Sequence, residues 1–178
     1  MIVLGCAAML AGCDRQTSDN AQPQASSGAA AQIGQIDRSH MGSQLPDFQL
    51  KDLAGGELNL ASLKGKPVLI NLWATWCAPC VAELPQLNQL AAENPRIKVL
   101  TVNQDMDKLD KVAAFLAEKG GAKLEPWINP DNSLTFQFGA ATLPATVYYD
   151  ASGREVWRII GPRDWLDAEA KALIAEAR

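Results

Sequence analysis

Apolar and polar positions do not follow one period along this chain; the period changes several times, and each change predicts an element. From Leu45 onward, Phe48, Leu50 and Leu53, then Leu58 and Leu60, flank Gly55-Gly56, which predicts a short β-hairpin. Lys66-Pro67 leads into Val68–Trp73, apolar throughout apart from Asn71, as expected of a strand buried on both faces. The spacing then turns helical: Val81, Leu84, Leu87, Asn88 and Ala91 share one face of a helix predicted over Pro79–Asn94. Pro85 should kink that helix, because its ring displaces the carbonyl of Val81 and it has no N–H to donate. Ile97–Val102 reads as a second buried strand. Leu109, Val112, Ala113 and Leu116 mark an amphipathic helix that stops at Gly120-Gly121. Thr146–Tyr149 and Val156–Ile160 are strands joined by the turn Asp150-Ala151-Ser152-Gly153, and a last helix starts near Asp164 and runs to the end. The order is hairpin, β-α-β-α, β-β-α. It predicts an α/β fold with a central mixed β-sheet flanked by helices on both sides and an N-terminal hairpin extension.

The first 43 residues carry no such pattern. Met1 to Gly12 is small and apolar, too short to span a bilayer as a helix. It ends in Leu10-Ala11-Gly12-Cys13, which resembles the lipobox of bacterial lipoproteins; that resemblance implies acylation of Cys13, with Asp14 implying retention at the inner membrane. No Lys or Arg precedes Cys13, so the positive stretch of such a signal is missing, consistent with a start assigned too late. Residues 14–43 are rich in Gln, Ala, Ser and Gly and read as a flexible tether, leaving 44–178 as the folded domain. His40, the only histidine, falls in the tether with no ligand-type neighbour and reads as a solvated residue. A net charge of −4 excludes a basic surface for nucleic acid.

The candidate chemistry is concentrated in Trp76-Cys77-Ala78-Pro79-Cys80. Of the four cysteines, Cys6 and Cys13 precede the tether, so only Cys77 and Cys80 belong to the domain. A sulfur in the first turn of a helix faces unpaired N–H groups and the positive dipole end. Both favour thiolate, so the Cys77 pKa should fall below the free value of roughly 8.5. Cys77 is therefore the expected nucleophile, and Cys80, one turn deeper, the resolving thiol. Pro79 fits a first turn, where its missing N–H costs nothing. The competing readings are weaker. A zinc site needs four ligands and the domain has no other cysteine and no histidine; a disulfide closing two intervening residues constrains little chain. No glycine pattern points to a nucleotide, and Trp127, Trp157 and Trp165 read as core or edge aromatics.

Leu69 through Cys80 resembles the active-site segment of the thioredoxin superfamily. The continuation Val81-Ala82-Glu83-Leu84-Pro85, together with Thr142-Leu143-Pro144, is similar to the TlpA/ResA/CcmG-like membrane-anchored branch. The resemblance covers about residues 44–178 and implies a thioredoxin-like fold and a lipid-anchored thiol–disulfide oxidoreductase on the periplasmic face of the inner membrane. It implies no cofactor or metal, protein disulfide substrates such as apocytochrome c or copper-site maturation proteins, and recharging by a DsbD/CcdA-like membrane reductant. Pro144 would be the cis-proline opposite the cysteines, with the Leu143 backbone free for an extended substrate and Trp76 an apolar wall beside the sulfurs. Glu83 lies three residues after Cys80 on the same helix face, so a half-buried carboxylate there could take the Cys80 proton. Thioredoxins proper carry an aspartate where this chain has Asn71, which cannot titrate. The same residues would serve an oxidant or isomerase, or hold copper in a delivery protein, although related carriers use a wider cysteine spacing and a histidine. A peroxidase is disfavoured: Ile70 and Ala74 stand where Pro-x-x-x-Thr-x-x-Cys needs proline and threonine.

Overall fold

The computed structural model describes residues 1–2 and 34–177. Residues 3–13 of the expected signal peptide (1–13), with Cys6 and the proposed acylation site Cys13, and most of the tether lie outside the described residues. Eight strands form one mixed sheet: β1 (Ile36–Asp37), β2 (Gln49–Lys51), β3 (Glu57–Asn59), β4 (Val68–Trp73), β5 (Lys98–Asn103), β6 (Trp127–Ile128), β7 (Ala145–Tyr149) and β8 (Glu155–Ile160). They lie in the order β1-β8-β7-β4-β5-β6-β2-β3. Only the pairings β4–β5 and β5–β6 are parallel; the others are antiparallel. The helices are α1 (Ala78–Glu93), α2 (Val112–Glu118), α3 (Ser133–Gln137) and α4 (Ala168–Ile174).

β4 is buried along its whole length, with β5 parallel on one side and β7 antiparallel on the other. Its alternation divides the core. Leu69 and Trp73 join Leu84 and Leu87 of α1, Leu116 of α2 and Leu173 of α4. Val68, Ile70 and Leu72 face the opposite cluster, with Leu50, Leu134 and Phe138. The period of two therefore puts Asn71 on the α1 face, a polar residue amid an apolar layer.

The expected hairpin, central strand and first helix stand where the pattern put them, within one residue. Pro85 lies inside α1 without ending it. Asn94 closes the helix, its N–H and its Nδ2 both donating to the Leu90 carbonyl at 3.0 and 2.9 Å. The last helix differs from expectation. Its N-cap is Asp167, which accepts from the Ala170 N–H at 2.6 Å, while Asp164 only closes a turn onto the Leu166 N–H. Trp165 is turned inward and 1% exposed, and the helix begins only after it. Three elements carry no periodic signal, being two to five residues long: β1, β6 and α3. β1 arises within the stretch read as tether and pairs with β8, Ile36 opposite Ile159. Exposed His40 follows it.

Beside the second core layer, Arg158 makes two 2.6 Å bonds to the Glu155 carboxylate and donates to the Phe138 carbonyl. The two side chains are 8% and 1% exposed. Breaking such a pair leaves one buried charge without its counter-charge. Glu155→Ala should therefore lower the unfolding free energy by about 3–5 kcal/mol, read from urea titration. A change below about 1 kcal/mol would mean that water reaches the guanidinium.

Candidate active site

β4 delivers the chain to a tight approach, Ala74-Thr75-Trp76, and Cys77 then caps α1. The Cys77 N–H donates to the Ala74 carbonyl at 3.2 Å, and its sulfur accepts from the Cys80 N–H at 3.4 Å. Cys77 takes the place usually held by an oxygen-bearing cap, so the free Cys80 amide of the first turn points at its sulfur. The two cysteines are joined as a disulfide, S–S 2.01 Å and Cα–Cα 5.3 Å. Cys77 is 5% exposed and Cys80 1%. The approach is held from below by Asp105, whose carboxylate accepts from the Thr75 N–H at 3.2 and 3.3 Å and from Asn103 Nδ2 at 3.1 Å.

Glu83 is one turn beyond Cys80 and only 3% exposed, deeper than the half-buried position expected. Its carboxylate accepts from the Arg163 N–H at 2.7 Å, from Trp165 Nε1 at 3.0 Å and from Asn71 Nδ2 at 3.4 Å. Asn71 also donates to Thr146 Oγ1 at 3.0 Å. A polar line thus crosses from β7 through β4 to α1 and on to the loop before α4. Burial pushes the Glu83 carboxyl up to about 7; the three donors favour the ion but do not offset the lost hydration. A groove of about 300 Å³, lined by Pro79, Ala82, Gln86, Pro162 and Asp164 among others, opens onto Glu83 and Arg163.

Pro144 immediately precedes β7. Leu72 pairs with Ala145, so Pro144 comes level with Trp73, four residues before the first sulfur. The Leu143–Pro144 peptide is cis. The Pro144 carbonyl accepts from the Gly161 N–H at 2.8 Å, and Leu143 is half-buried. Trp76 stands out from the surface, 71% exposed. Among the described residues no group of three or more His, Cys, Asp or Glu is placed to hold a metal ion.

The fold therefore gathers Cys77, Cys80, Glu83 and Trp76 at the start of α1, and brings Leu143-Pro144 to the same end of the sheet. Trp165, Arg163 and Thr146 join Glu83 and Asn71 from 75 to 82 residues away, and no local spacing in the chain signals those partners.

The sequence matches the AhpC/TSA family over residues 41–156. It is 33% identical over 146 residues to the thiol:disulfide interchange protein DsbE of Vibrio cholerae, covering 78% of each chain. It is 31% identical over 125 residues to the thiol-disulfide oxidoreductase ResA of Bacillus thuringiensis, covering 70% of this chain and 72% of that one. Among solved structures, the exposed lipoprotein thioredoxin of Streptococcus pneumoniae superposes with a TM-score of 0.59 at 29% identity, over 73% of this chain and 99% of that one.

Proposed function

We propose, from the premise that this chain belongs to the AhpC/TSA family as a thioredoxin-like thiol–disulfide oxidoreductase of the ResA/DsbE type, that it reduces protein disulfides outside the cytoplasm. The observation that carries this reading is the Cys77–Cys80 disulfide capping α1, with the carboxylate of Glu83 buried one turn further on. Despite the family name, the peroxidase motif is absent: Ile70 and Ala74 occupy its proline and threonine places.

In the reduced enzyme the N-terminal amides of α1 stabilise a Cys77 thiolate. That thiolate attacks a substrate disulfide, forms a mixed disulfide and expels one substrate thiolate. Cys80 then loses its proton to Glu83 and attacks Cys77 Sγ, expelling the second substrate thiolate. Two electrons have passed to the substrate, and the enzyme is left in the oxidised state described above. Glu83 passes its proton on through the groove that opens beside it. Pro144 and Leu143 flank the incoming chain, and exposed Trp76 offers it an apolar wall beside the sulfurs.

One feature of the site supports the reductive direction against the pull of the helix amides on the Cys77 thiolate. A strongly oxidising dithiol owes its potential to a stabilised reduced form. Above about pH 7 Glu83 is ionised on the same helix face as Cys80, and that negative charge disfavours a second thiolate and so supports the disulfide form. A lipid anchor at Cys13 would hold the domain at the membrane surface. Likeness to an exposed lipoprotein thioredoxin supports that anchor. Among the described residues no helix is long and apolar enough to cross a membrane. The substrates proposed are apocytochrome c or copper-site maturation proteins, with a DsbD/CcdA-like membrane protein as electron donor.

Equilibration of the Cys77–Cys80 couple with glutathione tests the direction. The potential should lie well below the glutathione couple, where every 30 mV or so is a tenfold change in the exchange equilibrium. A potential well above it would make the protein an oxidant with the same residues.

A further inference from the structure

Three large apolar side chains stand out into solvent on segments that leave the sheet at the end where the disulfide lies. Trp76, Met106 and Phe136 are 71%, 76% and 81% exposed, ahead of Met41 at 60% and Leu53 at 52%, the other exposed large apolar residues among the described residues 34–177. Their common location follows from topology. β4, β5 and β6 are adjacent and parallel, so the segments that leave them emerge on one edge of the sheet. Trp76 follows β4, Met106 follows β5 and Phe136, in α3, follows β6.

Hydrogen bonds tie the three segments together one residue away from each side chain. The Thr75 N–H donates to Asp105 at 3.2 Å, which joins the residues before Trp76 and Met106. Thr135 Oγ1 donates to Gln104 Oε1 at 2.8 Å, which joins the residue before Phe136 to the same turn. The Gln104 N–H donates to the Trp73 carbonyl at 2.8 Å, and the Asn129 N–H to the Asn103 carbonyl at 2.8 Å. The backbone beneath the three side chains is thus fixed before anything binds, which reduces the ordering cost of association.

We infer that Met106 and Phe136 extend the active-site surface beyond Trp76 into a docking strip for apolar side chains flanking the reactive cysteine of an extended polypeptide. This rests on the thiol–disulfide exchange reading of the site. The occupant follows from continuity with the disulfide: a polypeptide that presents a sulfur to Cys77, one residue from Trp76, brings its flanking residues toward this strip. A compact disulfide such as that of glutathione engages the sulfurs without covering Met106 and Phe136. A peptide running outward from its cysteine covers them. Met106 and Phe136 therefore set the preference among substrates, and the chemistry stays with the cysteines.

The test uses the full chain and two disulfide-bridged peptides, one with leucines on both sides of the cysteine and one with serines there. Glutathione disulfide is the compact reference, and exchange is followed in whichever direction it runs. Burying one large apolar contact is worth about tenfold in kcat/KM, so the protein should favour the leucine peptide by about 10- to 100-fold. Met106→Ser with Phe136→Ser should bring that ratio close to unity, and Phe136→Leu, which keeps an apolar side chain, should retain most of it. Both positions are exposed, and the leucine-to-serine ratio is read within each variant, so a change in overall activity does not mimic the effect. Equal rates for both peptides, or a preference that survives the double substitution, would overturn the docking strip while leaving the redox reading intact. Exchange with neither peptide nor glutathione would overturn both.

Discussion

Cys77→Ser should abolish disulfide exchange, whereas Cys80→Ser should accumulate a stable mixed disulfide with substrate. The two outcomes differ because the two sulfurs occupy different places in one helix. Cys77 is the cap itself: the Cys80 N–H already points at its sulfur, and it is the more exposed of the pair. A thiolate there gains from the helix end and meets an incoming disulfide first. Serine keeps the cap but offers a hydroxyl in place of a nucleophilic thiolate, so the rate should fall by several orders of magnitude. Cys80 is enclosed, so its loss should spare the first attack and block only the second, leaving substrate bound through Cys77. Non-reducing electrophoresis and intact mass of each variant after mixing with a disulfide-bonded protein read this directly. A trapped adduct on Cys80 in the Cys77→Ser variant would reverse the assignment. A wild-type alkylation series across pH supplies the companion measurement, since thiolate formed at the helix end should react at a lower pH than free cysteine.

Glu83→Gln has the second largest expected consequence, and it acts in opposite senses on activity and on stability. As the proposed acceptor of the Cys80 proton, Glu83 must be ionised. The resolving step should therefore speed up as pH rises through about 7 and then level off. In the glutamine variant that inflection should vanish, with resolution slower by about 10²-fold above pH 7. An unchanged profile would remove Glu83 from proton transfer.

The stability effect follows from the same burial. The folded chain holds the Glu83 proton up to about 7, against an ordinary value of 4.5, so between these pH values the native state binds more protons than the unfolded state. The slope of unfolding free energy with pH is then negative. The contribution is fully present below pH 4.5 and is lost as pH rises to about 7, on the order of 3 kcal/mol over that span. Glu83→Gln should flatten this decline and raise the melting temperature at pH 8. The Trp165 indole bonded to the carboxylate should report the same titration in its fluorescence. Activity gained across the pH range in which stability is lost would identify one carboxyl behind both. A melting temperature insensitive to the substitution would mean that water already hydrates Glu83.

Much of the frame was legible because its causes are local. An unbroken apolar run forces Val68–Trp73 into the middle of the sheet. Gly55-Gly56 and Asp150–Gly153 are turns by backbone chemistry; Gly153 has φ +79°, and Asp150 accepts from the N–H groups of Ser152 and Arg154 at 2.8 and 3.0 Å. The start of α1 was equally legible, since capping and the tolerance of proline in a first turn involve only neighbouring residues. The helix before the chain end was misplaced for a complementary reason. Asp164 and Asp167 are equivalent caps by sequence, and the choice between them was made by Trp165, whose indole packs on Trp157 with centroids 6.3 Å apart.

From the sequence alone came the candidate cysteine pair, its place at a helix start and the α/β frame behind it, because each depends on interactions reaching no further than one turn or one strand. Only the tertiary structure decided how deeply Glu83 is buried, that Asn71 and Thr146 join it, and that Trp76, Met106 and Phe136 share an edge. The physical reason is the same in each case. Desolvation and surface adjacency are set by what folds over a residue from far along the chain, and no spacing within a segment encodes that.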